Sequence, residues 1–186
     1  GWAGHAMISK NQGIIKNIAF INLKSSKVST DVAIVATNQG IMENIYVDYL
    51  LQTGTHGTAN GVLASFADNK NASVEVESEI RNCIVNIRLA EGATLPPAQG
   101  SLVGKAGGWT GYVKNCYAIL NDSGIADVCG NRNGTVADAT CNTSAQFNTY
   151  QLLKAGADVS MYDTNIWAFA DDSISFFGKV VLKVEL

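Results

Sequence analysis

With 186 residues, 47% of them hydrophobic and only 16% charged, the chain is too apolar to stay disordered and long enough to bury a sizeable core. Its formal net charge of −3 argues against a nucleic acid or an anionic membrane as partner, since both are met by basic patches. No apolar run approaches the roughly 20 residues that cross a bilayer, and no signal peptide is visible.

Along the chain one pattern keeps returning. Its first copy is Gly13-Ile14-Ile15-Lys16-Asn17-Ile18-Ala19-Phe20 and its second is Gly40-Ile41-Met42-Glu43-Asn44-Ile45-Tyr46-Val47. A third copy, residues 78–85, opens on Ser78 and carries Asn82. The fourth is Gly111-Tyr112-Val113-Lys114-Asn115-Cys116-Tyr117-Ala118, and a worn fifth, residues 134–141, has Asp138 where the others have Asn. A short unit recurring with such position-specific residue types is the signature of a stacked solenoid.

Counted from the leading Gly as position zero, positions two, five and seven are apolar in every copy. Position two holds Ile15, Met42, Ile80, Val113 and Val136; position five holds Ile18, Ile45, Cys83, Cys116 and Ala139; position seven holds Phe20, Val47, Val85, Ala118 and Cys141. Positions five and seven have the period of a strand with one buried face. Position three (Lys16, Glu43, Arg81, Lys114, Ala137) is charged in all but the last copy and points to water. The Asn between an outward and an inward position marks a bend, because Asn tolerates left-handed backbone geometry. Stacked amides of Asn17, Asn44, Asn82 and Asn115, with Asp138 continuing the column, can bond one another as a structural ladder.

A strand upstream of each copy completes the unit. Its apolar pairs are Met7-Ile8, Ile34-Val35, Leu102-Val103 and Val128-Cys129, and Gly61-Val62-Leu63-Ala64 serves the third copy. From Asn17 to Asn44, Asn82, Asn115 and Asp138 the steps are 27, 38, 33 and 23 residues, so the longer units carry loops within residues 51–60, 69–76 and 90–100. A β-propeller needs about four strands per blade, more than the shortest step supplies. In the tail, Phe147, Tyr150, Leu152 and Leu153 have helical spacing, with Ser144 able to cap the N-terminus and Gly156 able to end the helix. Trp167, Phe169, Phe176 and Phe177 and an alternating apolar end follow. An open solenoid end offers unpaired backbone, so this tail is expected to cover it.

The stretch Gly100-Ser101-Leu102-Val103-Gly104 leading to Gly111-Tyr112-Val113-Lys114-Asn115-Cys116-Tyr117-Ala118 resembles the GLUG-motif repeats of bacterial surface adhesins and IgA-peptidase stalks. The Gly13 and Gly40 copies match the second half of that motif, and the likeness covers most of residues 1–142; Trp167 also looks like the Trp found where such arrays close. The resemblance implies a displayed β-helical module without catalytic residues of its own. It also implies further coils before the first Asn. The chain opens at Gly1-Trp2-Ala3-Gly4 without an N-terminal cap, so part of a longer polypeptide, or a partner over the first coil, is expected. Virion appendages such as phage fibres use similar solenoids.

Few constellations compete with that reading. All four cysteines fall on inward columns and are expected as buried thiols, although neighbouring coils bring Cys83 and Cys116 within reach of a disulfide. No CxxC, GxSxG or HExxH occurs, His5 and His56 stand alone, and no metal or cofactor is expected. The acids Glu43, Asp48, Glu75, Glu77, Glu79 and Asp171-Asp172 are the candidates for a glycosidase-type pair; Glu75, Glu77 and Glu79 alternate with Val74, Val76 and Ser78 as a solvated face would. In Gly107-Gly108-Trp109-Thr110-Gly111-Tyr112, Trp109 and Tyr112 are candidate ligand contacts on a loop, and Trp109 can equally fold back over its own coil.

The sequence thus predicts an all-β, right-handed parallel β-helix of about four to five coils over residues 1–143, with a C-terminal cap containing a short helix at residues 144–186. The function expected is a non-enzymatic structural or adhesive module, extracellular, on a cell surface or virion. Its expected partners are a glycan, a surface protein, copies of itself or other coat or stalk subunits. A carbohydrate-active β-helix enzyme or a phage fibre component is the alternative.

Overall fold

Four asparagines in the left-handed region set the course of the backbone: Asn17, Asn44, Asn82 and Asn115 have φ of 61°, 51°, 53° and 52°. The structure, a computed structural model, describes residues 2–3, 6–26, 34–52, 60–69, 72–73, 77–94, 99–105, 109, 111–125, 127–131 and 145–184. Its strands are β1 (Trp2–Ala3), β2 (Ile8–Asn11), β3 (Ile14–Ser26), β4 (Val35–Asn38), β5 (Ile41–Leu51), β6 (Ala64–Ala67), β7 (Glu79–Arg81), β8 (Ile84–Leu89), β9 (Gly100–Lys105), β10 (Tyr112–Lys114), β11 (Tyr117–Ile119), β12 (Asp127–Asn131) and β13 (Ala145–Phe147). Helix α1 (Tyr150–Gly156), a 3-10 turn (Val159–Met161) and strands β14 (Trp167–Phe169), β15 (Ser173–Phe176) and β16 (Lys179–Lys183) follow.

The fold is mostly β, with parallel sheets, one short helix and a small antiparallel C-terminal sheet. A five-stranded parallel sheet runs β12-β9-β6-β4-β2, and an eight-stranded one runs β1-β3-β5-β8-β11-β13 with β7 between β5 and β10. Each of the first four repeats gives one strand to the first sheet. To the second it gives either one long strand bent at its Asn, as in β3 and β5, or two short strands broken there. Register follows the repeat: Ile15 pairs with Met42, Lys16 with Glu43 and Ile18 with Ile45, and Val113 pairs with Ile80. The bend re-aims the strand, and pairing resumes beyond it in the same register, which the αL tolerance of Asn permits and a β-branched residue would resist.

Between the two parallel sheets lies one apolar core. Met42, Ile80 and Val113, then Ile45, Cys83 and Cys116, then Val47, Val85 and Ala118 are fully buried in it, joined by Val35, Ala64 and Val103 of the other sheet. The first repeat is different. Met7, Ile8 and Ile18, in the same columns, are 45%, 36% and 38% exposed, because no described strand pairs beside them on the outer side; β1 meets β3 only at Ser25 and Ser26. Close approach of neighbouring backbones explains the Gly at position zero: a Cβ on Gly40 would sit 2.2 Å from Gly13 O, and one on Gly111 2.0 Å from Ser78 O.

The C-terminal part departs from expectation. Residues 145–147 add β13 to β11 in parallel, and the helix is capped by Thr149, whose Oγ1 accepts from Leu152 N at 3.3 Å; Ser144 lies outside the described residues. Ala145 to Phe147 continues the ladder because a strand there pairs its backbone, which a helix would leave unpaired at the sheet edge. The antiparallel sheet β14-β15-β16 then lies against the flank of the long sheet, not across an end. A second apolar cluster forms there. Tyr46, Ile84 and Tyr117, which face outward from three successive repeats, pack with Tyr150, Leu153, Tyr162, Trp167, Ile174 and Phe176. Tyr162 Oη donates to Asn115 O at 2.7 Å and Trp167 Nε1 to Asn44 Oδ1 at 3.4 Å, so the tail is tied to repeats two and four at once.

Candidate functional site

The asparagine column comes together where it is described. Asn44 Nδ2 donates to Asn17 Oδ1 at 3.1 Å, and Asn115 Nδ2 to Asn82 Oδ1 at 2.9 Å. Between them the flanking register Glu43 with Arg81 and Tyr46 with Ile84 holds the alignment, and the Trp167 indole uses the Asn44 acceptor. Asp138 lies outside the described residues. These amides serve the stack itself, since their polar atoms face one another along it. Two further columns escape a reading anchored on Gly. Asn11, two residues before Gly13, donates to Asn38 Oδ1 at 2.7 Å, and Asn38 to Gly40 O at 2.9 Å. Gln12 donates to Gln39 and Gln39 to Asp68, at 3.1 and 3.0 Å.

Trp109 and Tyr112 part company. Trp109 stands two residues before Gly111, the corner that Asn11 and Asn38 hold in the first two repeats. It is 2% exposed, and its indole N–H donates to Ser78 Oγ at 2.9 Å. A ring so placed packs the core and cannot stack on a ligand, which corrects the surface-contact expectation for Trp109. Tyr112 is 36% exposed and donates to Glu79 Oε1 at 2.6 Å. That hydrogen bond, with some burial and the nearby charge of Glu79, raises the Tyr112 phenol above its usual range.

Glu79 itself is a correction, being 9% exposed where the alternation suggested a solvated carboxylate. It stands at position one, in line with Ile14, Ile41 and Tyr112, so its neighbours cover it. Arg81 Nη1 binds Glu79 Oε2 at 2.8 Å, while Arg81 Nε and Nη2 each reach Glu43 at 3.3 Å. One guanidinium therefore fills the gap between the two carboxylates, where a glycosidase leaves room for a sugar. Among the described residues no group of three or more His, Cys, Asp or Glu could hold a metal ion. His5, His56 and Glu75 are outside the described residues.

The free-thiol expectation holds for Cys83 and Cys116. Cys83 N donates to Cys116 Sγ at 3.4 Å, and burial first, then the neighbouring thiol, pushes the Cys83 thiol well above its ordinary range. Cys129 is in a disulfide, against expectation; its inward column does not exclude pairing, because the bond depends on the approach of another sulfur rather than on the face occupied. Cys141 is outside the described residues.

A concavity among the described residues was not anticipated. It is a cleft of about 560 Å³ between the flank of the long sheet and the C-terminal unit. Its floor is a polar column with one residue from each of four repeats: Asn22, Asp48, Asn86 and Asn121. Asn121 Nδ2 donates to Asn86 Oδ1 at 2.6 Å, Asn86 Nδ2 to Asp48 Oδ1 at 3.3 Å and Asn22 N to Asp48 Oδ2 at 3.2 Å. Arg88 forks onto both Asp48 oxygens through Nη2, at 2.8 and 2.9 Å, and adds Nε at 3.2 Å. Asn22 and Asn121 again have positive φ, 55° and 45°, and so repeat the bend chemistry of the first column. Val181, Leu182, Lys183 and Val184 form the wall on the β16 side, with Thr149 and Tyr150 completing it. The signal was present in sequence as an Asn or Asp four to six residues beyond each anchor, its spacing made irregular by the bulge of β3 between Phe20 and Leu23 and by Asn121 lying two residues past Ile119, the register partner of Asn86. Comparison with protein-family models, with curated proteins and with solved structures finds no match to this chain.

Proposed function

We propose that this chain is a non-enzymatic structural and adhesive module, built as a right-handed parallel β-solenoid and displayed outside the cell on a bacterial surface or a virion. The observation that carries the reading is the in-register column of asparagines at positive φ, because one bend repeated at one height per repeat is what a winding chain requires. Strand–crossover–strand connections between parallel strands are right-handed in the great majority of folds, which supports the handedness. The resemblance of residues 100–118 to GLUG repeats supports the surface setting. Carboxylates that are already paired with Arg81 and Arg88 favour a scaffold over a hydrolase. Among the described residues no helix is long and apolar enough to cross a membrane.

The exposed first repeat supports assembly with other subunits. Met7, just before β2, and Ile8, Ile14, Ile18 and Ile21 on β2 and β3 are all more than a third exposed. Two measurements test the proposal. Spin labels at Lys16 and Lys114, three parallel steps apart, should lie about 14 Å from each other at backbone level, at about 4.8 Å per step. A separation beyond about 25 Å would remove the solenoid, since the inter-strand spacing cannot stretch so far. Incubation with a panel of neutral and acidic polysaccharides should release no shortened product; depolymerisation would replace the module with an enzyme.

A further inference from the structure

The cleft beside β16 has features that stacking alone does not require. Stacking asks only that the floor residues bond one another, as Asn17 and Asn44 do. Here the column lines a half-open cleft walled on one side by the C-terminal unit, in the size range of small-ligand sites. The four floor residues come from four successive repeats, so the groove runs along the stack for three steps, about 14 Å. Asp48 is 8% exposed, and its oxygens are taken by Arg88, Asn86 and the Asn22 amide, so it fixes the floor without presenting a free negative charge. No described residue takes the Nη1 donors of Arg88 after it binds Asp48, and its side chain is 44% exposed. Lys183 brings a second cation from the opposite wall. The cleft is therefore locally positive in a chain whose net charge is −3. The side-chain amide of Asn22 can both donate and accept, as sugar hydroxyls require; Asn121, whose Nδ2 donates to Asn86 Oδ1 and to Ile87 O, keeps its Oδ1 as an acceptor, and Val181, Leu182 and Val184 offer an apolar wall to the C–H face of a ring.

We propose that this cleft binds a linear acidic saccharide, with the carboxylate of one sugar met by Arg88 and Lys183 and the hydroxyls met by the asparagine floor. The inference deepens the adhesive reading and rests on it only for the absence of cleavage. No covalent step is involved. The test uses the full chain, uniformly labelled with 15N, and tri-galacturonate as the probe. Cellotriose and tri-glutamate serve as a neutral saccharide and an acidic peptide of similar length. Tri-galacturonate should shift the side-chain amide signals of Asn22, Asn86 and Asn121 and the guanidinium signal of Arg88, saturably. Affinity should fall at least about tenfold in Lys183→Glu, and should weaken as salt rises, because exposed charges are screened. Lys183 is exposed on an edge strand, so its reversal leaves the core untouched. The proposal is overturned if the acidic trisaccharide does not bind, if cellotriose or tri-glutamate binds equally, or if Lys183→Glu binds as the parent does. Cleavage of bound tri-galacturonate would overturn the non-enzymatic reading and leave the site standing. Intact spin-label distances without binding would do the reverse.

Discussion

Asn44 is the position at which the fold's main device can be isolated. It has φ 51°, is 7% exposed, donates to Asn17 Oδ1 at 3.1 Å and accepts from Trp167 Nε1 at 3.4 Å. Asn44→Ala keeps none of this. Holding Ala in the left-handed region costs about 1 to 2 kcal/mol. The lost bond to the partly exposed Asn17 costs about 0.5 to 1.5 kcal/mol, and leaving the indole N–H of Trp167, 2% exposed, without its acceptor adds about 1 to 3 kcal/mol. The expected loss is about 2.5 to 6.5 kcal/mol. Asn44→Gly loses the same two bonds but adopts φ 51° without strain, so it should remain about 1 kcal/mol more stable than the Ala variant even after the extra freedom glycine has when unfolded. At Asn17, exposed and bonded through its acceptor alone, Ala should cost only about half as much. Equilibrium urea unfolding of the three variants against the parent, followed by tryptophan fluorescence, supplies the numbers. The reasoning is refuted if Gly proves less stable than Ala at position 44, for then the bend is not what the asparagine provides.

Three further outcomes are expected. Gly40→Ala should destabilise by about 2 kcal/mol or more, because its Cβ would meet Gly13 O at 2.2 Å, whereas Gly13→Ala, with nothing within 4 Å, should be neutral in the same unfolding assay. Cys83 and Cys116 should resist a thiol reagent at pH about 8 until the chain unfolds, since both are buried and the Cys83 thiol is held protonated; rapid labelling of the native protein would contradict their burial. Stability should decline at alkaline pH. Desolvation raises the phenols of Tyr46, Tyr117, Tyr150 and Tyr162, so the fold favours their neutral form. That stability is fully present below the unfolded tyrosine pKa of about 10 and is lost as pH rises through the raised folded values. The urea midpoint should therefore fall between pH about 9.5 and 11.5, together with a late rise in tyrosinate absorbance, and a midpoint flat across that range would contradict the burial of these hydroxyls.

What was legible in the sequence is what repeats with fixed chemistry. Positions two, five and seven were readable because inward columns tolerate only apolar residues, and Asn at position four because few residues accept a left-handed bend. The corner two residues before the Gly was not, since Asn11 and Asn38 give way to Trp109, and an amide ladder and an indole fill the same space with unlike chemistry. Glu79 misled for a related reason: alternation finds the outward face, but burial on that face depends on Tyr112 and Ile41 from the adjacent strands and on Arg81 from its own. The cleft was hidden more deeply. Its floor is periodic, but its wall comes from β16, and no local pattern brings Lys183 to the same cleft as Arg88.

The placement of the tail decides which surfaces remain for recognition. Aromatic residues such as Tyr162, Trp167 and Phe176 would be expected to seal an end if the apolar core needed a lid. They instead pack on Tyr46, Ile84 and Tyr117, which are outward residues and owe their apolar character to that contact. In repeats two to four, then, this flank of the sheet has a neighbour to pack on, which fits position six reading Ala19, Tyr46, Ile84 and Tyr117 while position three reads Lys16, Glu43, Arg81 and Lys114. A flank so covered is withdrawn from solvent except where the cover stops short, along β16, and that margin is where the polar column opens into the cleft. The brace therefore does two things through one contact: it ties the bends at Asn44 and Asn115 into one body, and its edge supplies the wall without which Asn22, Asp48, Asn86 and Asn121 would be an ordinary solvated ladder.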